Sequence, residues 1–432
     1  MLEHGWQFVL ATLAGGLLVA GVLAVCFRQT IFRLKVALSL FSGADQSHRF
    51  GRISEIYPTS TVRPSDTPYR FPEGASVGLP KKFAFDTDYS DTADFLASTD
   101  TSALLVLKQG EVCYEQYALT GGPDVPWFSW SMAKSFVSAL VGIALDEGAI
   151  DSIEDPISDY VDELKGSAYD GVRIKDILQM SSGASWNEDY SDKNSDINRF
   201  ARVFAFGGSF TKFAATLKPA REPGKYKLYN SVDTEVLGLL LAATTAKSVT
   251  DYMQEKLWEP LGAESEANWI LDSDNVEMSF GGLSATARDY AKLGELYRHG
   301  GAWKGQQIVP QDWVEASITP GAPHLVPNAV LLPDAPSGYG QDLGYGYQWW
   351  VLDGDEGEFA AMGVYNQFIY VNPTRELTIV KLSANHRYGV EPDEAHSREK
   401  ETLAFFRAVA RTIGTRSKPA EDEAAAGKAA GF

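Results

Sequence analysis

The chain has 432 residues, 44% of them hydrophobic, 12% aromatic and 22% charged, and a formal charge of -19. That length buries a large core and admits two or three domains, while the excess of acid repels phosphate backbones and argues against a nucleic-acid partner. Cys26 and Cys113 build no disulfide framework, and His4, His48, His299, His324, His386 and His396 show no metal-ligand spacing, so neither a metal nor a cofactor is expected.

Residues 8–27 contain no charged side chain. About twenty helical residues at roughly 1.5 Å each cross a bilayer core of about 30 Å, which predicts a single transmembrane helix and a lipid bilayer as partner. A cleaved signal peptide is the rival, but no basic stretch precedes the run and no small-x-small site ends it. Arg28, Arg33 and Lys35 follow the run and Glu3 and His4 precede it, so flanking charge alone puts the bulk of the chain on the cytoplasmic side. Residues 1–42 are read as anchor and juxtamembrane segment. Residues 43–84, rich in polar residues, Pro and Gly, are read as a linker or wrapping arm.

The folded domain is expected over 85–413. Residues 103–117 form a hairpin turning at Gln109-Gly110. Residues 131–147 form a helix with Phe136, Val137, Leu140, Val141, Ala144 and Leu145 on one stripe, stopped by Gly148. Residues 150–340 are mostly helical, most clearly at 233–246 and 285–299, and a long loop occupies 319–346. Strand signals return at 346–352, 358–362, 367–371 and 377–382, with a turn at 372–375. A helix at 396–413 follows, and 414–432 form a disordered tail. Strands at both ends with helices between imply an α/β (α+β) domain. One antiparallel sheet is built from both chain ends, flanked by helices, with a helical region inserted.

Ser131-Met132-Ala133-Lys134 carries the first chemical signal. Residues three apart share a helix face, so hydroxyl and amine can meet, and a helix start favours developing negative charge. A serine hydroxyl needs an adjacent base. A lysine near pKa ~10.4 serves only where burial or a nearby cation lowers it. The same spacing occurs at Ser209-Lys212 and Ser397-Lys400, but Ser131 alone opens an apolar helix after an aromatic run, Trp127, Phe128 and Trp130.

Further segments join it in order: Met180-Ser181-Ser182-Gly183, Glu222-Pro223-Gly224, Tyr229-Asn230-Ser231 with Leu237-Gly238, Gly281-Gly282-Leu283-Ser284, and Gly363-Val364-Tyr365-Asn366-Gln367-Phe368. Together they resemble the superfamily of serine β-lactamases, penicillin-binding proteins and esterases, in particular its class C and aminohexanoate-dimer hydrolase branch, over about residues 85–410. The resemblance implies a β-lactamase/transpeptidase-like fold and an acyl-enzyme on Ser131. It makes Lys134 and Tyr229 the proton-transfer pair, with a phenolate favoured beside the ammonium, and Ser231 a partner of Lys134. The backbone N–H groups of Ser131 and Gln367 would form the oxyanion hole. Tyr365 and Asn366 would support the site from the third motif, at residues 363–368, and Trp186, Glu188, Asp189 and Tyr190, which follow the Ser-Ser-Gly turn, would line the cleft.

Val364 stands where the family often carries a lysine, histidine or tryptophan, and Asn366 where glycine is usual. A missing cation points away from carboxylate-bearing β-lactams and peptidoglycan stems, towards small-molecule esters or amides. Two other readings stay open: a catalytically weak member that binds cell-wall or peptide ligands, and a β-lactamase or D,D-peptidase. Family members with N-terminal anchors usually face outward, so the resemblance opposes the flanking charges on location. No Gly-x-Ser-x-Gly occurs, which argues against an α/β-hydrolase.

Overall fold

The two ends of the chain meet in one sheet. The computed structural model describes residues 45–329, 342–391 and 393–414, with Gly15, Gly16 and Gly21. In chain order come strand β1 (Thr59–Val62), the hairpin β2 (Thr101–Lys108) and β3 (Glu111–Tyr117), the short β4 (Trp127–Phe128) and helix α1 (Ala133–Asp146). The middle supplies helix α2 (Ser231–Thr245), strands β5 (Ala267–Ile270) and β6 (Leu283–Ala285), and helix α3 (Ala287–Arg298). The chain returns as β7 (Gly344–Tyr345), β8 (Trp350–Val351), β9 (Phe359–Gly363), β10 (Gln367–Asn372), β11 (Leu377–Ser383) and helix α4 (Glu399–Gly414). The seven-stranded sheet runs β7-β8-β9-β10-β11-β2-β3 and is antiparallel throughout. The β11–β2 pairing, with Leu377 opposite Lys108 and Leu382 opposite Ala103, joins the C-terminal strands to the early hairpin.

The central strands are buried on both faces, and the two-residue period divides their side chains between two cores. Ile369, Val371, Val380, Leu105 and Leu107 face the larger core, shared with α1, α2 and α3. Phe368, Tyr370, Ile379, Leu104 and Val106 face the other, closed by Phe405, Phe406 and Val409 of α4. Burying each such side chain is worth about 1.5–3 kcal/mol, which holds strands far apart in sequence in one register.

The structure departs from the sequence reading in three places. The middle region is not only helical: β5 and β6 join β1 and β4 in a second sheet, ordered β1-β5-β6-β4. Strands of four and three residues are too short to show a period. The arm at 43–84 also enters this sheet, because β1 pairs with β5, Thr59 opposite Ile270 and Val62 opposite Ala267. The strand expected at 346–352 is broken at Gln348, whose φ of 61° turns the chain back between β7 and β8.

The apolar run at 8–27 apart from Gly15, Gly16 and Gly21, residues 28–44, residues 330–341 of the stretch read as a long loop, and the tail from 415 lie outside the described residues. Among the described residues no helix is long and apolar enough to cross a membrane.

Candidate active site

Ser131 sits in a single 3-10 turn, Trp130–Met132, that runs into α1. Trp130 takes a φ of 48° to make the entry. Ser129 N–H donates to Leu283 O of β6 at 2.8 Å, so the second sheet fixes where this turn begins. Lys134 is the second residue of α1, one turn beyond Ser131, and its Nζ lies 3.0 Å from Ser131 Oγ. The same nitrogen is 2.7 Å from the carbonyl of Phe280 and 3.3 Å from Ser231 Oγ. Ser231 is the first residue of α2, and the Asn230 side chain caps that helix through Val232 N–H at 2.9 Å.

Tyr229 precedes the cap. Its ring stacks on Trp350 of β8 at 5.2 Å and 20°, and the Lys134 amine lies 5.3 Å from its centroid. Its phenol faces the Ser131 hydroxyl, which offsets part of a strong upward push from burial on its pKa. Ser131, Lys134 and Tyr229 thus converge. Their exposures of 7%, 1% and 9% leave the serine at the edge of solvent and the amine beneath it.

Burial governs the protons here. It lowers the Lys134 pKa to about 7, against the upward pull of Glu188, Glu235 and Asp233. A charged amine loses much hydration in such a place, so the neutral form is favoured. Burial works against the phenolate expected at Tyr229: it raises the phenol well above its usual range, beside an amine lowered to about 7.

Helix α2 holds the amine's partners in place. Glu235, four residues beyond Ser231 and on the same face, accepts Ser279 N–H at 2.9 Å and so anchors the turn that offers the Phe280 carbonyl. Gly238 permits this approach, because a Cβ there would stand 1.9 Å from Ser279 Oγ. The Met180–Gly183 segment is tied to the same helix: Asp233 accepts from Ser182 Oγ at 2.7 Å, Asn230 Nδ2 at 2.7 Å and Tyr169 OH at 3.0 Å. Burial raises the Asp233 carboxyl to about 8.

The Gly363–Phe368 segment meets the serine through its backbone. Its strand ends at Gly363, opposite Gln367, and residues 364–366 form the hairpin turn. A Cβ on Gly363 would stand 2.6 Å from Ser129 O and 3.1 Å from Ser131 N, so only glycine lets β9 come this close to the serine. The Gly363 backbone therefore lies against the Ser131 amide. The Gln367 side chain is turned away: Oε1 accepts from Trp127 Nε1 and Ser383 N at 3.0 Å each, and Nε2 donates to Ser383 O at 2.6 Å. Asn366 adopts a φ of 66° and is fully buried, donating to Ser397 O at 2.8 Å and accepting from Asn385 Nδ2 at 2.8 Å. Tyr365 packs among Phe50, Trp130 and Tyr388. These three side chains brace the turn and do not face the serine.

Trp186 is buried against Phe200 and Phe213. Asp189 is engaged in its own turn, accepting Ser191 N–H at 2.8 Å and Ser191 Oγ–H at 2.6 Å. These contacts are not with Ser131, Lys134 or Ser231. The adjacent Glu188 reaches the cluster instead, accepting from Ser231 Oγ at 2.7 Å and Ser231 N at 3.2 Å. Sequence reasoning placed this acid at the cleft with its neighbours, but nothing in an aperiodic loop separates it from Asp189. Glu235 was findable, one helical turn after Ser231.

A serine, a buried amine and a phenol held at two helix starts beside a strand-end glycine describe a class of protein. The beta-lactamase family model matches residues 93–404. The chain belongs to that family and is a serine hydrolase of the amide- and ester-cleaving kind. Its relatives include the 6-aminohexanoate-dimer hydrolase of Paenarthrobacter ureafaciens, 30% identical over 354 residues that cover 80% of this chain and 86% of the relative. Similar solved structures include a Bacillus anthracis protein assigned to the 6-aminohexanoate-dimer hydrolases, at 22% identity and TM-score 0.76, covering 88% of this chain and 97% of that one. A family VIII carboxylesterase aligns at 14% identity and TM-score 0.54, over 74% and 95% of the two chains. The two structures share the fold.

Proposed function

We propose that this protein cleaves small linear amides or esters through an acyl-enzyme on Ser131, with Lys134 as the base and Tyr229 as the acid. One observation carries this reading: the Lys134 amine, neutral above about pH 7, lies 3.0 Å from the Ser131 hydroxyl. In acylation Ser131 Oγ attacks the carbonyl carbon while its proton passes to Lys134 Nζ. Tyr229 gives its phenolic proton to the departing nitrogen or oxygen. An ammonium and a phenolate remain, side by side. In deacylation the phenolate takes a proton from the attacking water, and the ammonium returns one to Ser131 Oγ as it leaves, which restores both groups.

The oxyanion forms beside the Ser131 amide. Its second donor is assigned to Val364, whose N–H follows Gly363 on the segment that touches Ser131 N. Such a donor is worth about 2.7–4 kcal/mol to the transition state. The turn residues Val364, Tyr365 and Asn366 bring no cation, and Glu188 stands near the amine. That charge distribution disfavours substrates bearing a carboxylate at the scissile bond, such as penicillins. Linear amides of the kind named for the Paenarthrobacter relative fit better. The 85–413 region would be the catalytic domain, and residues 8–27 would tether it to a bilayer with the site facing outward.

Purified enzyme offered p-nitrophenyl esters, 6-aminohexanoate dimer and a chromogenic cephalosporin in parallel should turn over members of the first two sets far faster than the third. Rapid cephalosporin hydrolysis with inert esters and dimer would replace this reading with a β-lactamase. C-terminal reporter fusions and fractionation test the tether and its orientation.

A further inference from the structure

Glu188 belongs to none of the three sequence motifs, yet four donors converge on its carboxylate. Oε1 accepts from Ser231 Oγ at 2.7 Å and Tyr190 OH at 2.9 Å. Oε2 accepts from Ser231 N at 3.2 Å and from the Trp186 indole N–H. Ser231 Oγ is also a partner of Lys134. Counting donors and acceptors around the amine then leaves one arrangement. A neutral amine has two hydrogens and one lone pair. The Phe280 carbonyl can only accept, so it takes one hydrogen. The Ser231 hydroxyl has given its own hydrogen to Glu188, so it takes the other. The lone pair is left pointing at the third neighbour, Ser131 Oγ.

We propose that Glu188 is a positioning residue: by fixing the direction of the Ser231 hydroxyl it aims the lone pair of Lys134 at the nucleophile. The inference rests on Lys134 acting as the base. Besides Glu188, the amine is faced by Glu235 and Asp233 of α2, the Tyr229 phenol and the Phe280 ring.

Glu188→Gln tests the idea without changing shape. The Ser231 amide and the Trp186 indole can only donate, so the glutamine oxygen must face them. Its NH2 then faces the hydroxyls of Ser231 and Tyr190, which can reverse. Ser231 would turn its hydrogen towards Lys134 and compete for the lone pair. The expected result on a p-nitrophenyl ester is a kcat loss on the order of tenfold or more with little change in KM. The acid limb of kcat/KM should also move down by about half a pH unit or more, because an anion beside the amine has gone. In a Ser231→Ala background no hydroxyl remains to reverse, so adding Glu188→Gln should cost far less kcat than it does alone.

Wild-type kcat and an unmoved acid limb in Glu188→Gln would overturn the proposal, as would equal losses in both backgrounds. Should Glu188→Gln fail to fold, Ser231→Ala decides it: a comparable kcat loss supports the proposal and wild-type kcat sinks it. A Lys134→Ala variant run alongside separates the failures. If it keeps full activity, the base assignment falls. If it is inert while the two-background losses match, only the role of Glu188 falls.

Discussion

The helical side of the site and the hairpin side are built on opposite principles. Helices α1 and α2 and the turn that opens α1 present side chains: Ser131 Oγ and Ser231 Oγ both lie within 3.3 Å of Lys134 Nζ. The β9–β10 hairpin presents backbone. Gly363 touches the serine's amide, while Tyr365, Asn366 and Gln367 turn their side chains into the protein. The lesson is that a motif can lose its characteristic side chains and keep its part in a site, provided the one glycine that permits close approach remains. The departures at Val364 and Asn366 then change which substrates are welcome more than whether the bond is cut.

Substitutions can break this comparison. The largest effect is expected on the helical side, where Lys134→Ala should lower kcat/KM by about four orders of magnitude at neutral pH, measured on an activated ester. On the hairpin side, Gly363→Ala should lower kcat by about 10²–10³, because the new methyl group pushes β9 off Ser131. An Ala variant with wild-type kcat would show that the backbone approach is not needed. The pH profile sharpens the helical half. A protonated amine has no lone pair, so kcat/KM should fall about tenfold per unit as pH drops below the Lys134 value of about 7, and level off above it. The smallest activity effect should come from Asn366→Ala. Its φ of 66° strains alanine, and Asn385 loses a buried partner, so stability should drop by about 2–4 kcal/mol in urea unfolding. The folded fraction should hydrolyse esters within about twofold of wild type.

The same contrast explains what could be read from the sequence. The serine and lysine share a helix face, and Tyr229 and Ser231 frame a helix start, so residue type and spacing both carry the message. The oxyanion contribution of a strand lies in its N–H groups, which every non-proline residue owns. No side chain marks which peptide of residues 363–368 meets the serine. Glu188 sits in an aperiodic loop beside Asp189, where only the tertiary path decides which acid turns inward. The seven-stranded sheet was legible from long apolar strands at both chain ends. The second sheet was not, because Ala267–Ile270 and Leu283–Ala285 are too brief for a period to show.

The central claim is that Ser131 is the nucleophile and neutral Lys134 its base. Intact-mass analysis after brief exposure to a fluorophosphonate tests it most directly, with peptide mapping and a pH series of the labelling rate. One adduct per chain on Ser131, absent in Ser131→Ala and forming faster as pH rises through about 7, is the result predicted. An adduct on another residue, or labelling that persists in Ser131→Ala, would contradict the account.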